Sequence, residues 1–331
     1  FRGEVVAAGA LGRMADGYHP TGGVEPATLT SWGSDFAGEV VAADLLDGLV
    51  VETVLDPTAQ PFLNDHRIDG TAVLPGVMGM EFFAEVAGLL APERHVVAVE
   101  DVDFLVPVKF YRDEPRTLRV TALIRPDGAD LVAECRLEAE RVLPGREAPQ
   151  RTVHFTGSVR LSSVPSPSDH ALPLAKTPEA AVITPSDVYR LYFHGPAYQV
   201  VGEAWQDDGA VVGRLAEHLP ADQVPAMATL LDPRLEELCF QVAGLWEAGR
   251  EGRLALPAHV DRLSVGGQTP TDGNDALVAI ARPRSGSRGG FDCQVLDPDG
   301  RVLLRLDGYR TVPMPGALAE DVRAPLRAVL T

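Results

Sequence analysis

The sequence has 331 residues, enough for one large domain or two smaller ones with a sizeable core. Its 45% hydrophobic and 23% charged residues are typical of a globular protein and argue against a disordered or fibrous chain. With 29 Lys and Arg against 47 Asp and Glu, the net charge of −18 disfavours binding to nucleic acids and to anionic membrane surfaces.

The cysteines and the chain start indicate a cellular location. Cys135, Cys239 and Cys293 are isolated in apolar or strand-like stretches, which predicts neither a disulfide framework nor a CxxC metal site. Apolar runs are far shorter than the roughly 20 residues of a membrane span, and no signal-peptide pattern opens the chain. Because the chain also begins without Met, we interpret it as a piece of a longer cytoplasmic multidomain polypeptide.

The first half of the chain predicts one helix among strands. Residues 1–45 are rich in Gly, Ala, Asp and Thr and predict a linker or leader, and residues 46–165 predict a first domain. This domain opens with a β-branched strand at 48–55 and a loop that ends at Pro75. The almost wholly apolar segment 76–90 then predicts a buried helix. Strand-like stretches follow at 95–102, 116–125, 130–142 and 151–161.

The second half repeats this order of elements. Residues 166–185, rich in Pro, Ser and Ala, predict an interdomain linker, residues 186–315 a second domain, and residues 316–331 a tail or linker. The second domain is predicted to hold a buried helix, at 232–246, and strands near 198–205, 259–265, 276–282, 291–296 and 301–313. An antiparallel meander buries one apolar helix only if the sheet curls round it. We therefore predict an α+β fold of two curled sheets, each wrapping a central helix.

A loop ahead of the first helix carries candidate chemistry. It reads HxxxGxxxxPG, with His66, Gly70, Pro75 and Gly76 at the fixed positions. Histidine is a natural general base near neutral pH, and Pro75 fixes the helix start so that free N–H groups, such as that of Val77, point at a carbonyl oxygen. The pattern predicts a base beside an oxyanion donor, whereas a histidine alone would more simply be a loop or capping residue.

Two more motifs follow in order, and the set resembles the dehydratase domains of polyketide synthases and related fatty-acid synthases, which are double-hotdog folds. Residues His194 to Gln199, HGPAYQ, are similar to the YGPxFQ signature of that family, and Leu230-Leu231-Asp232 is similar to its LLDxxxQ or LLDxxxH signature. The resemblance covers residues 45–315. The FHGPAYQ variant is most similar to the iterative enediyne or polyunsaturated fatty-acid synthase branch.

The resemblance implies a hydro-lyase. His66 would remove an α-proton from a β-hydroxyacyl thioester, and Asp232 of the other hotdog would protonate the departing hydroxyl, leaving an α,β-enoyl thioester. Asp232 would need a pKa raised by an apolar tunnel. Read from the residues alone, Asp232 before Pro233 is also a favourable helix N-cap, which is ordinarily ionised. Positioning of the substrate is assigned to Gly70, Pro75, Gly76, Val77, His194, Gly195, Pro196, Tyr198, Gln199 and Glu236.

Two positions depart from the family pattern. Glu236 stands four residues after Asp232, where the family has Gln or His, and either shares a proton with Asp232 or merely complements the helix dipole. Gln241 lies on the opposite helix face from Asp232 and cannot take that role. His194 replaces the usual Tyr, and it either donates to the substrate or is only a loop residue.

The resemblance also implies the partners. The substrate would be carried on the phosphopantetheine of an acyl carrier protein in the same synthase, beside neighbouring synthase domains, and the parent would be a homodimer. No cofactor is implied, and no metal is expected because the HExxH spacing and cysteine clusters are missing from the sequence. Two alternatives stay open, a catalytically silent double hotdog that binds the chain or acts as a scaffold, and a product-template-like cyclase.

Overall fold

The computed structural model describes residues 36–44, 46–141, 150–166, 181–266, 277–285 and 290–330. Within these ranges, no helix is both long and apolar enough to cross a membrane.

The described residues of the first half form nine strands and two α-helices. In chain order they are β1 (Glu39–Asp44), β2 (Gly48–Leu55), α1 (Pro61–Asn64), β3 (Arg67–Ile68), β4 (Thr71–Val73), α2 (Gly76–Leu90), β5 (His95–Phe104), β6 (Lys109–Phe110), β7 (Arg116–Asp127), β8 (Asp130–Arg141) and β9 (Gln150–Ser162). Strands β3, β4 and β6 form a small separate sheet next to the start of α2.

In the described part of the second half, six strands and three α-helices follow. They are α3 (Pro185–Leu191), β10 (Val201–Asp207), β11 (Ala210–Leu215), α4 (Pro233–Glu251), β12 (Ala255–Val265), β13 (Val278–Pro283), β14 (Phe291–Leu296), β15 (Val302–Pro313) and α5 (Glu320–Leu330).

Twelve strands make one continuous antiparallel sheet. Their order is β1-β2-β7-β8-β9-β5-β12-β15-β14-β13-β11-β10, so each half supplies six neighbouring strands. The halves join where β5 pairs with β12, with Val102 opposite Val260 and Val99 opposite Leu263. These four side chains are fully buried, which makes the junction part of the core.

Each half of the sheet packs round one helix. Helix α2 contacts β2, β5, β7, β8 and β9, helix α4 contacts β10 to β15, and the two helices also contact each other. Side chains such as Phe83 and Leu238 are fully buried, and each buried apolar side chain of this size stabilises the fold by about 1.5–3 kcal/mol. The predicted α+β double hotdog is confirmed.

Three segments differ from the sequence-based boundaries. β1 lies inside the predicted leader, where it pairs with β2 and extends the first sheet. The predicted C-terminal tail instead forms α5, which packs on α4 through the buried Leu326 and Leu330. Pro325 inside this helix obscured it in the sequence, although the apolar spacing is helical. Helix α3 lies across the predicted end of the linker, and residues 1–35 and 167–180 lie outside the described residues.

Candidate active site

The first two sequence motifs meet through their backbones. An isolated antiparallel bridge pairs His66 with His194. Asp65 strengthens this contact, since its carbonyl accepts from Gly195 N at 2.6 Å and its Oδ2 accepts from Ala197 N at 2.7 Å. A Cβ atom on Gly195 would lie 2.7 Å from the Asp65 carboxylate. Glycine is therefore required at 195 for the two loops to approach this closely.

A largely apolar cavity of about 190 Å³ lies beside this junction, and both halves contribute to its wall. Phe104 and Phe155 from the first half pack edge to face with ring centroids 5.2 Å apart. Phe240 and Tyr309 from the second half stack at 4.3 Å. Such a lining suits an acyl chain, because an apolar wall gains free energy when it covers apolar surface.

His66 presents one free ring nitrogen to this cavity. Its Nδ1 lies 2.7 Å from the carbonyl oxygen of Val73, and since a carbonyl only accepts, Nδ1 carries the proton. The Nε2 lone pair is then available as a base. Burial, followed by the nearby His194, lowers the pKa of His66 to about 4, whereas Glu237 and the Val73 hydrogen bond act in the opposite direction. His66 is therefore neutral at physiological pH, as a general base must be.

Helix α4 presents one face, with two polar side chains on it, to the same cavity. Glu237, Phe240, Gln241 and Gly244 all line it, and their spacing is that of one helix face. Gln241 Nε2 donates to Glu237 Oε1 at 3.0 Å and to the Tyr198 carbonyl at 2.9 Å. Four residues separate the acid and the amide, so the amide holds the carboxylate from the next helical turn.

Glu237 also contacts a second histidine. His194 Nε2 lies 3.1 Å from Glu237 Oε1, and both side chains are almost fully buried. Burial alone would raise the pKa of Glu237, but the charge and hydrogen bond of His194, followed by His66 and Gln241, hold it below its usual value. The cavity therefore contains two imidazoles and one carboxyl group whose charges depend on one another.

The start of α2 forms another part of the wall. Pro75 is the N-cap residue, and Gly76, the first helical residue, lines the cavity. A Cβ atom on Gly76 would lie 2.8 Å from the Phe104 ring, so the glycine lets this ring reach the wall. The first N–H groups of a helix have no intrahelical partner, so this end can accept a carbonyl oxygen.

The structure does not bring Asp232 and His66 together. Among the described residues that line the cavity, Asp232 and Glu236 are absent. Asp232 is the N-cap of α4 with a left-handed backbone, φ 64°, and its side chain makes no capping hydrogen bond. Glu236 is fully buried and turns toward Glu81 of α2, whose carboxylate accepts from the backbone N–H groups of Leu230 and Leu231. Both predicted positions thus face the contact between the central helices.

The remaining predicted positions build the loops and do not line the cavity. Gly70, with φ 77°, turns the chain between β3 and β4, and Val77 is buried in the core. Gln199 Nε2 donates to the His194 carbonyl at 3.0 Å and so fixes the backbone of that loop. Pro196 begins a short 3-10 turn that ends at Tyr198, whose carbonyl accepts from Gln241.

Sequence reasoning missed Asp65, Glu237 and Gln241. The spacing Glu-x-x-x-Gln at 237–241 carried a usable signal, because it reproduces an acid and an amide one turn apart with Glu in place of Asp. Asp65 carried no such signal, since its partners are distant in sequence. Within the described part of the chain, no group of three or more His, Cys, Asp or Glu side chains is arranged to hold a metal ion.

Sequence comparisons identify relatives over most of the chain. Two protein-family sequence models match. The family described as polyketide synthase dehydratase domain matches residues 37–135, and the family described as polyketide synthase dehydratase N-terminal domain matches residues 167–320. Polyketide synthase ThaG of Burkholderia thailandensis is 30% identical over 82% of this chain, which spans 5% of ThaG. Polyketide synthase GfsE of Streptomyces halstedii is 27% identical over 88%, and the chain spans 8% of GfsE. One polypeptide of a polyunsaturated fatty acid synthase from Thraustochytrium is 23% identical over 64%, with 8% of its length spanned.

Solved structures share the fold. The dehydratase domain of the CurF module of curacin polyketide synthase superposes with a TM-score of 0.70 at 20% identity, covering 84% of this chain and 99% of that one. A trans-AT polyketide synthase dehydratase domain from Brevibacillus brevis gives 0.66 at 17% identity, covering 84% and 98%. Two CurK dehydratase variants, one with aspartate replaced by asparagine and one with histidine replaced by phenylalanine, are described as inactive. Both superpose with a TM-score of 0.64 at 20% identity over 81% of this chain. The match covers 94% of the asparagine variant and 93% of the phenylalanine variant.

The matching sequence models follow one another along the two halves of the chain, and each half has the helix-in-sheet architecture that the solved dehydratase domains share. This chain belongs to the dehydratase domain family of polyketide synthases.

Proposed function

We propose that the chain dehydrates a β-hydroxyacyl thioester, carried on the phosphopantetheine of an acyl carrier protein, to the α,β-enoyl thioester during polyketide assembly. The observation that carries the proposal is that His66 of the first half and Glu237 of the second line one apolar cavity. A base and an acid that line the same cavity can act together on adjacent carbons of a bound chain.

His66 and Glu237 have complementary roles in this elimination. His66 Nε2 takes the α-proton, and the electron pair of that C–H bond forms the double bond. The bond from the β-carbon to oxygen breaks, and the hydroxyl oxygen takes a proton from Glu237 and leaves as water. Gln241 fixes the Glu237 carboxyl, and the N–H group at Gly76, which lines the cavity, stabilises negative charge on the thioester oxygen.

This assignment places the acid at Glu237 and not at Asp232. Glu237 lines the cavity beside His66, whereas Asp232 occupies the N-cap position of α4 and does not line the cavity. The inactive CurK variants, in which a histidine and an aspartate were replaced, support a two-residue mechanism with one imidazole and one carboxyl group. Titratable side chains and backbone N–H groups supply every step, so the proposed reaction uses no cofactor.

The test is incubation with a 3-hydroxyacyl thioester on an acyl carrier protein, followed by mass spectrometry for the loss of one water. We expect enoyl product from the wild type and a fall in kcat of about 10²–10⁴-fold for Glu237→Gln. Asp232→Asn is the matched control and is expected to keep kcat within a few-fold. The opposite pattern would return the acid role to Asp232. A folded protein that gives no product would favour the silent scaffold, and cyclised product would favour the cyclase.

We also propose the context of the domain. The relatives are long synthases of which this chain spans a small part, which supports neighbouring domains and a carrier protein in one polypeptide. A homodimeric, cytoplasmic parent follows from the family resemblance. The enediyne or polyunsaturated fatty-acid branch rests on the FHGPAYQ variant and on the Thraustochytrium relative.

A further inference from the structure

The hydrogen-bond chain behind Glu237 fixes where its protons lie. The backbone N–H of Val201 can only donate, and it lies 2.7 Å from Tyr189 Oη. The Tyr189 hydroxyl therefore donates to Gln241 Oε1, at 3.1 Å. This orients the amide, so Gln241 Nε2 donates to Glu237 Oε1. Glu237 Oε1 is thus an acceptor in this contact.

The same oxygen receives His194. Because the pKa of Glu237 is held below its usual value, its carboxylate can only accept, so the 3.1 Å contact from His194 Nε2 is a donated hydrogen bond whose proton lies on the ring nitrogen. The His194 ring is held in place by stacking on Phe193, with centroids 4.6 Å apart, and by the edge of Tyr192 at 5.6 Å. His194 Nδ1 is buried and has no hydrogen-bond partner among the described residues. The Nε2–H group of His194 is therefore directed at the carboxyl group assigned as the acid.

We propose that His194 is a positioning residue that holds the proton which Glu237 delivers to the leaving hydroxyl; this rests on the proposed dehydration. Before the reaction the pair is imidazolium and carboxylate. As the β-carbon to oxygen bond breaks, the proton moves from His194 Nε2 to the Glu237 carboxylate and on to the hydroxyl oxygen. The α-proton moves to His66, so the cavity keeps its total charge when water leaves. One proton then returns from His66 to His194, whose ring centroids are 5.1 Å apart.

The electrostatics of the cavity favour this order. Burial, followed by the nearby His194, lowers the pKa of His66, whereas Glu237 raises it. While His194 holds the proton, His66 is kept neutral and ready to act as a base. Once His194 has given the proton away, the Glu237 carboxylate remains and stabilises the new charge on His66. Besides the two imidazoles, five titratable groups interact electrostatically with Glu237: Tyr189, Tyr192, Tyr198, Tyr309 and Glu236.

His194→Gln separates holding a proton from donating a hydrogen bond. A glutamine amide donates to Glu237 but cannot carry the proton. In the wild type the proton binds either imidazole or carboxylate, and in the variant only the carboxyl group, so the variant releases it at lower pH. We expect the alkaline limb of the kcat–pH profile to move down by about one pH unit or more, with kcat about 10²-fold lower at neutral pH.

The control is His259→Gln. His259 also contacts a carboxylate, Asp103 Oδ1 at 2.6 Å, but it does not line the cavity. In this variant we expect the alkaline limb of the kcat–pH profile to stay at its wild-type position. A folded His194→Gln protein whose limb stays in place would overturn the proton-holding role and leave His194 as a structural residue.

NMR spectroscopy of the free protein tests the pairing of His194 with Glu237 without requiring the dehydration reaction. In ¹⁵N spectra of the free protein, His194 Nε2 should keep its proton to higher pH in the wild type than in Glu237→Gln, because the carboxylate stabilises the imidazolium. Equal behaviour in the two proteins would refute the pairing, whatever the enzyme assay shows. A wild type that forms no enoyl product would instead refute the proposed function.

Discussion

Replacing Glu236 with methionine should stabilise the protein. Glu236 is fully buried, and neither of its carboxyl oxygens has a hydrogen-bond partner among the described residues. Burying an unsatisfied polar group costs about 1–3 kcal/mol, and an unbranched apolar side chain of similar length removes that cost. We therefore expect Glu236→Met to raise the free energy of unfolding by about 1–3 kcal/mol at pH 5.

The gain should grow with pH. Burial, then Glu81 and Asp232, raise the pKa of Glu236 well above its ordinary value of 4.5. The folded wild type keeps this proton where the unfolded chain has already lost it, so wild-type stability falls as pH rises above 4.5. The loss is about 1.4 kcal/mol per pH unit until the folded state also ionises, and the variant lacks it.

Urea unfolding of both proteins at pH 5, 6, 7 and 8, followed by circular dichroism, measures the difference. Glu236→Gln is the matched control, because it removes the ionisation but keeps a polar group; it should remove the contribution of Glu236 to the pH dependence, with a smaller gain at pH 5. A Glu236→Met protein that is less stable than the wild type at every pH would show that the carboxyl group makes a stabilising contact. A difference that stays constant with pH would show that Glu236 ionises normally.

Three further predictions concern the base, the loop junction and the C-terminal helix. Because His66 acts as a base only when neutral and has a pKa of about 4, kcat/KM should fall as pH drops through about 4 and stay level just above it. Gly195→Ala places a Cβ atom 2.7 Å from Asp65 and should lower kcat about tenfold or more, whereas Gly88→Ala, whose Cβ atom has 3.6 Å of room, should leave kcat unchanged. Leu326→Ala should cost about 2–5 kcal/mol of stability in thermal or urea unfolding, because Leu326 is fully buried against α4; a cost below 1 kcal/mol would show that α5 is only loosely attached.

Strong local signals predicted most of the fold. Helix α2 has the predicted bounds, 76–90, because a proline on each side limits an apolar segment that can only be buried. The turns at Gly128 and Gly300 have positive φ, as the Pro-Asp-Gly sequences indicate. Strand β11 was missed because it is short and contains Gly213, where a Cβ atom would lie 2.3 Å from a Val242 methyl group. That requirement comes from a helix about thirty residues away, so local sequence does not reveal it.

Three of the predicted site residues, His66, Gly76 and His194, line the cavity. His66 was found because the spaced glycine and proline mark a tight loop before a helix, and His194 because its loop carries a second motif. Asp232 was predicted as the acid because the Leu-Leu-Asp letters fit a signature, whereas the residues of α4 that line the cavity share one helix face. Positions 237, 241 and 244 share the face that lines the cavity, and positions 232 and 236 lie elsewhere on the helix. Only the packing of α4 decides which face that is.

Adjacent carboxyl groups on α4 show why burial alone does not identify the acid. Glu236 and Glu237 are both buried, yet burial and nearby acids raise the pKa of Glu236, whereas the imidazoles and Gln241 hold that of Glu237 below its usual value. Of the two, Glu236 is the carboxyl group that stays protonated to higher pH and so would have a proton to donate. It does not line the cavity, however, because one residue along a helix turns the side chain by about 100° toward α2. Glu237 reaches the cavity but holds its proton weakly, so an acid on this helix face needs a neighbouring group that retains the proton. Of the two side chains hydrogen-bonded to Glu237, Gln241 and His194, only the imidazole of His194 can hold one.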